Sequence, residues 1–222
     1  MPENTLAGFE YAIRAGADGI EMDVAITRDD VPVISHNPYL RGGRPIRGLT
    51  AAELRAAAPA IPTLDETLAL APQGGFIFNI ELKSFPDRPE YAPPPERFAA
   101  IALDAVRRAG VESRTLIQSF DFSALRAFEA LAPEIPRSAL FHLWLGSFVD
   151  VAERAHVRLV SPEFHLITAR KVRAAREAGI GVIAWTPNRP RQWRRLIAAG
   201  VKAVITDDPA GLAEFLDGPA KV

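Results

Sequence analysis

Gly19-Ile20-Glu21-Met22-Asp23-Val24 alternates apolar and acidic residues. In an extended strand successive side chains point to opposite faces. Ile20, Met22 and Val24 therefore share one face, and Glu21 and Asp23 the other. Phe76-Ile77-Phe78-Asn79-Ile80-Glu81-Leu82-Lys83 repeats the pattern. Its face of Phe76, Phe78, Ile80 and Leu82 is apolar, and Asn79, Glu81 and Lys83 share the other with Ile77. These charges could form one solvated face of an ordinary sheet, but the opposite faces are apolar enough to pack under helices. Three carboxylates and a lysine on the inner faces of buried strands need compensation, because unpaired buried charge is costly. A divalent cation held by Glu21, Asp23 and Glu81 would supply it. An all-oxygen donor set suits Mg²⁺ or Ca²⁺ better than zinc.

Around these two strands the chain reads as α/β. Leu6 to Ala15 carries a helical stripe of Leu6, Phe9, Ala12 and Ile13, with Asn4 or Thr5 as N-cap and Gly16 as terminator. The first strand continues to about Thr27. Arg28-Asp29-Asp30 then turns it into Val31–His36, a link too short for a parallel crossover, so a hairpin is expected. Residues 37–63 are loop-like, with a short helix at 51–58, and a helix capped by Thr63 follows over 64–71. The loop 84–95 holds five prolines and is expected to be stiff. Helices at 96–109, 123–131, 147–155, 168–178, 190–199 and 210–216 alternate with strands at 115–120, 138–142, 158–161, 181–186 and 203–206. Regular alternation of this kind signifies parallel βα units.

The hairpin's return strand aside, seven strands can line the sheet. A closed (β/α)₈ TIM barrel takes eight. The expectation is a single α/β barrel domain over residues 1–222 with its first β-strand missing, upstream of Met1. In such a fold the active site lies at the C-terminal strand ends, where Glu21, Asp23, Glu81 and Lys83 fall.

The 222 residues carry a net charge of −1 and are 48% hydrophobic, so a sizeable core is available and a nucleic-acid surface is not expected. No cysteine is present, which excludes disulfides and thiolate metal sites and favours a cytoplasmic setting. No apolar run reaches membrane-spanning length. No phosphate-binding loop, dinucleotide fingerprint, Gly-x-Ser-x-Gly elbow or His-Glu-x-x-His helix occurs. His36 ends a strand beside the carboxylates and is the best acid–base candidate. His142 and His165 follow strands and could face the same pocket, or be structural. His156 precedes a strand and is read as structural. Trp185, late in its strand, could wall a pocket against a small substrate or pack in the core. Thr206-Asp207-Asp208-Pro209 reads as the N-cap of the closing helix.

The ordered set Pro2-Glu3-Asn4-Thr5-Leu6, Gly16-Ala17-Asp18-Gly19-Ile20-Glu21-Met22-Asp23-Val24, Val33-Ile34-Ser35-His36 and Asn79-Ile80-Glu81-Leu82-Lys83 resembles the glycerophosphodiester phosphodiesterase family. Gln118-Ser119-Phe120, Trp185-Thr186-Pro187-Asn188 and Thr206-Asp207-Asp208-Pro209 resemble the same family's later strand ends. The resemblance implies a TIM barrel that hydrolyses a small glycerophosphodiester, such as glycerophosphocholine, to sn-glycerol 3-phosphate and an alcohol. It implies a divalent metal on Glu21, Asp23 and Glu81, phosphate contact by Lys83, and acid–base work by two histidines, one of them His36. Two departures stand out. Asn37 replaces the usual aspartate after that histidine. The family's first-strand His-Arg-Gly, with the second histidine and a phosphate-binding arginine, is not found in this chain. A non-catalytic barrel binding a phosphodiester or a metal is the competing reading, and another divalent-metal barrel enzyme, an aldolase or lyase, the third.

Overall fold

The computed structural model describes residues 1–143 and 145–218. Its strands are β1 (Gly19–Ile26), β2 (Pro32–Ile34), β3 (Ile77–Leu82), β4 (Thr115–Ser119), β5 (Arg137–Phe141), β6 (Leu159–Pro162), β7 (Gly181–Ala184) and β8 (Ala203–Val204). They form one curled sheet in the order β2-β1-β3-β4-β5-β6-β7-β8. β1 pairs β2 antiparallel, and every other neighbouring pair is parallel. The expected hairpin and the seven parallel strands are therefore both present. The hairpin turns on Asp30, at φ 61°, which closes a Thr27 N–H bond to the Val31 carbonyl at 3.0 Å.

The helices are α1 (Leu6–Arg14), α2 (Ala51–Ala57), α3 (Leu64–Leu68), α4 (Pro95–Ala109), α5 (Phe122–Leu131), α6 (Phe148–Ala155), α7 (Ala169–Glu177), α8 (Pro190–Ala199) and α9 (Pro209–Asp217). Their limits follow local chemistry. Thr50 with Glu53, Thr63 with Glu66 and Ser147 with Asp150 form reciprocal capping boxes that satisfy otherwise orphaned N–H groups. α4 opens on Pro95 and ends at Gly110, whose φ of 65° is readily adopted without a Cβ. Asp208 caps α9 through Gly211 N–H, as the sequence suggests.

The outward faces of the strands and the inward faces of the helices form one core. Met22, Val24, Phe78 and Ile80 are fully buried in it. Residues 37–63 are more ordered than a loop. A 3₁₀ turn at Ile46–Gly48 and α2 pack Ile46, Leu49 and Leu54 against Ala25 and Val33 as a second, small core. The proline-rich loop is anchored by rings, Tyr91 lying 6.0 Å from Phe85 and 5.9 Å from Tyr39.

β2 and β8 are the two edges of the sheet. Asp18 and Val24 carbonyls accept bonds from β3, so Glu21, of opposite parity, turns its backbone groups toward the seam between β1 and β8. Among the described residues no strand pairs with them there. The helices flanking the seam are shallowly packed: α9 has no buried residue and α1 only Phe9. Phe78→Ala, at the opposite extreme of burial, is expected to lower unfolding free energy by about 3–5 kcal/mol in urea titrations. A loss below about 1 kcal/mol would contradict this packing.

Candidate active site

The register of the sheet assembles the site. Asp23 lies opposite Glu81, and Glu81 opposite Gln118. Parallel neighbours in register point to the same side, so these residues form one polar row inside the curl, with Glu21 and Asn79 a step below. Glu21, Asp23 and Glu81 each bring a carboxylate oxygen within 4.8 Å of the others. Lys83 closes the cluster, its Nζ 3.0 Å from Glu81 Oε1 and 3.5 Å from Asp23 Oδ1.

Two side chains beyond the expected set hold the carboxylates. Gln118 donates through Nε2 to Glu21 Oε1 at 2.7 Å and accepts from Asn79 Nδ2 at 3.1 Å. Asn4 sits at φ 54°, just ahead of α1, and reaches Asp23 twice. Its Nδ2 donates to Asp23 Oδ2 at 2.8 Å, and its Oδ1 accepts the Asp23 N–H at 3.0 Å. Thr5, not Asn4, is the N-cap, accepting from Gly8 N–H. The sequence pattern contains a signal for each: Gln118 has inward parity on an apolar strand, and asparagine tolerates the left-handed region.

Electrostatically the cluster is underpaid, with three carboxylates facing one ammonium. Burial, then Asp23 and Glu81, push the Glu21 carboxyl well above the usual carboxylate range. Burial first, with Asp23 adding and Lys83 opposing, lifts Glu81 to about 8. Burial pulls Lys83 down, but Glu81 and Asp23 outweigh it and the net shift is upward. The lysine is therefore held charged while the carboxylates compete for protons. Hard oxygen ligands, mutual repulsion and a single positive neighbour make a donor set that a divalent cation would fit.

His36 stands one residue beyond Ser35, whose N–H bonds the Asp23 carbonyl at 2.8 Å. It is exposed on the mouth and makes no hydrogen bond among the described residues. Trp185, past the end of β7, is half-buried, with Nε1 donating to the Ser161 carbonyl at 2.7 Å and its ring 5.6 Å from Phe120. His142 packs its ring 5.7 Å from the other partner of that contact, Phe120. His165 is exposed and pairs through Nδ1 with Glu163 Oε1 at 2.7 Å. His156 terminates α6 at φ 55°, away from the mouth, as a structural reading expects.

A curled, mostly parallel α/β sheet with a carboxylate–lysine cluster at its C-terminal strand ends defines the class: a TIM-barrel-type enzyme fold with its candidate site at the strand ends. The chain belongs to the glycerophosphoryl diester phosphodiesterase family, whose model matches residues 1–211. It is 30% identical to a glycerophosphodiester phosphodiesterase of Caldanaerobacter subterraneus subsp. tengcongensis, over 97% of this chain and 93% of that protein. The crystal structure of a glycerophosphoryl diester phosphodiesterase from Silicibacter pomeroyi superposes with a TM-score of 0.88, at 31% identity, over 98% of this chain and 89% of that one. An Oleispira antarctica phosphodiesterase, solved with the product sn-glycerol-3-phosphate, gives 0.87 at 27% identity, over 98% and 92%. No helix among the described residues is long and apolar enough to cross a membrane.

Two outcomes test this electrostatic picture. Glu81→Gln should raise the melting temperature in chelator at pH 8, by about 2–4 °C per kcal/mol relieved. The sign follows from Glu81 being lifted from 4.5 when unfolded to about 8 when folded. Its protonated form is therefore favoured by folding, and wild-type stability falls as pH rises between those values. The advantage of the variant should vanish near pH 4.5, and a pH-independent difference would contradict it. Asn4→Ala, which strips both bonds from Asp23, should cost about 1–3 kcal/mol in denaturant unfolding, and no change would remove Asn4 from the site's support.

Proposed function

We propose that this chain is a divalent-cation-dependent hydrolase that converts glycerophosphodiesters to sn-glycerol 3-phosphate and an alcohol. The observation that carries this reading is the convergence of Glu21, Asp23, Glu81 and Lys83 at the strand ends of β1 and β3. The Oleispira relative's bound product supports the substrate class. In this reading Glu21, Asp23 and Glu81 hold Mg²⁺ or Ca²⁺. Such an ion, when bound, supplies positive charge against the phosphoryl oxygens.

The chain's own groups do the rest. Lys83, kept charged by Glu81 and Asp23, contacts a phosphoryl oxygen and stabilises the charge that grows there. Asn4 and Gln118 fix the rotamers of Asp23 and Glu21, so the cluster is organised before substrate arrives. His36, exposed beside Asp23, moves the proton to or from the alcohol oxygen. Asn37, next in the chain, adds no carboxylate where the family usually has aspartate. Trp185 walls the far side of the mouth.

Hydrolysis of a phosphodiester uses proton transfer at both the water and the leaving oxygen. We place the second group on a strand that fills the seam between β1 and β8, where the family's order puts His-Arg-Gly. That no strand pairs β1 with β8 among the described residues, and that the flanking helices are shallowly packed, supports this reading.

Appending such a strand ahead of Met1 should raise glycerophosphocholine turnover by about 10²-fold or more, the scale of one acid–base group. Equal activity with and without it would move the second role to His142 or His165. In the more active form, Lys83→Met should lower kcat/KM by about 10²-fold or more. An unchanged value would make Lys83 purely structural.

A further inference from the structure

Two buried hydroxyls stand beside the cluster without a part in the chemistry above. Ser119, at the end of β4, shares the parity of Ile117, which packs beneath the helices. Ser84 begins the proline-rich loop, two residues past β3. Both are buried, Ser119 completely. A buried hydroxyl is costly unless it is bonded, so its partners show what it holds.

The partners converge on the two neighbours of Lys83. Ser119 Oγ donates to the Leu82 carbonyl at 2.8 Å, and Ser84 Oγ donates to Asp121 Oδ2 at 2.6 Å. The Ser84 N–H closes a three-residue turn on the same Leu82 carbonyl at 2.8 Å, with Lys83 at its centre. Asp121 joins both hydroxyls, because its own N–H donates to Ser119 Oγ at 3.1 Å. Its carboxylate oxygens have separate partners. Oδ1 accepts the Ser123 N–H at 2.9 Å and the Ser123 hydroxyl at 2.6 Å, which caps α5. Oδ2 takes Ser84, a bond that a helix cap does not require.

We infer that Asp121 is a positioning residue for Lys83. It holds Ser84 directly and Leu82 through Ser119, so both neighbours of the lysine are fixed before the loop begins. The inference rests on the proposed contact between Lys83 and a phosphoryl oxygen, and adds what aims that contact. A lysine ammonium rides on a flexible four-carbon stem, so its placement starts from its backbone. Misplacing a catalytic group by about 1 Å can cost about 10²-fold.

Calorimetry reads the effect without turnover, by titrating Mg²⁺ and then sn-glycerol 3-phosphate in its presence. Ser84→Ala should weaken sn-glycerol 3-phosphate by about 10-fold and leave Mg²⁺ affinity unchanged. Asp121→Ser, which keeps a capping hydroxyl for α5 and loses the reach to Ser84, should match it. Ser123→Ala, which touches only the Oδ1 side, should leave both affinities as they are. In a Lys83→Met background Ser84→Ala should cost nothing further, because the group it positions is gone. Normal sn-glycerol 3-phosphate binding in Ser84→Ala overturns the inference, as does an undiminished loss in the Lys83→Met background. A parallel fall in Mg²⁺ affinity also overturns it, making the network a general support of the mouth. If Lys83→Met binds sn-glycerol 3-phosphate weakly and Ser84→Ala binds it normally, the phosphoryl contact stands and only the positioning role fails. If Lys83→Met binds it as tightly as wild type, or wild type does not bind it, both fail.

Discussion

Mutual repulsion of three carboxylates in one mouth is the constraint on which the rest of this structure depends. Glu21, Asp23 and Glu81 cannot all be charged at 4.8 Å or less without compensation. The fold offers one ammonium, two amides and little else. The raised carboxyls of Glu21 and Glu81 show the shortfall. In the proposed reading a bound cation relieves that repulsion.

The architecture serves that constraint. Parallel pairing in register places Asp23 and Glu81 side by side, while the apolar parity of the same strands buries Met22, Val24, Phe78 and Ile80 under helices. One alternation thus provides both the core and the site. The β1–β2 hairpin delivers His36 to the acidic rim, and the later strands carry aromatic and aliphatic residues on the opposite rim.

Much of this was legible in the sequence because period-two alternation is unambiguous when acidic residues interrupt apolar ones. Glu21, Asp23, Glu81 and Lys83 come together as expected. The supporting amides were less visible. Asn4 reads as a helix cap, and only the three-dimensional path of the chain turns it toward Asp23, 19 residues on. Gln118 meets Glu21 across 97 residues of sequence, a contact set by strand order that no local pattern encodes. Residues 37–63 read as loop because their three buried apolar anchors, Ile46, Leu49 and Leu54, have no period, yet tertiary packing organises them.

Calorimetric titration of Mg²⁺ or Ca²⁺ into the chelator-treated chain near pH 7 tests the central claim most directly. The account predicts one saturable ion per chain, net proton release as the raised carboxyls surrender their protons, and marked weakening in Glu81→Gln. Absence of saturable binding, or equal affinity in wild type and variant, would contradict it.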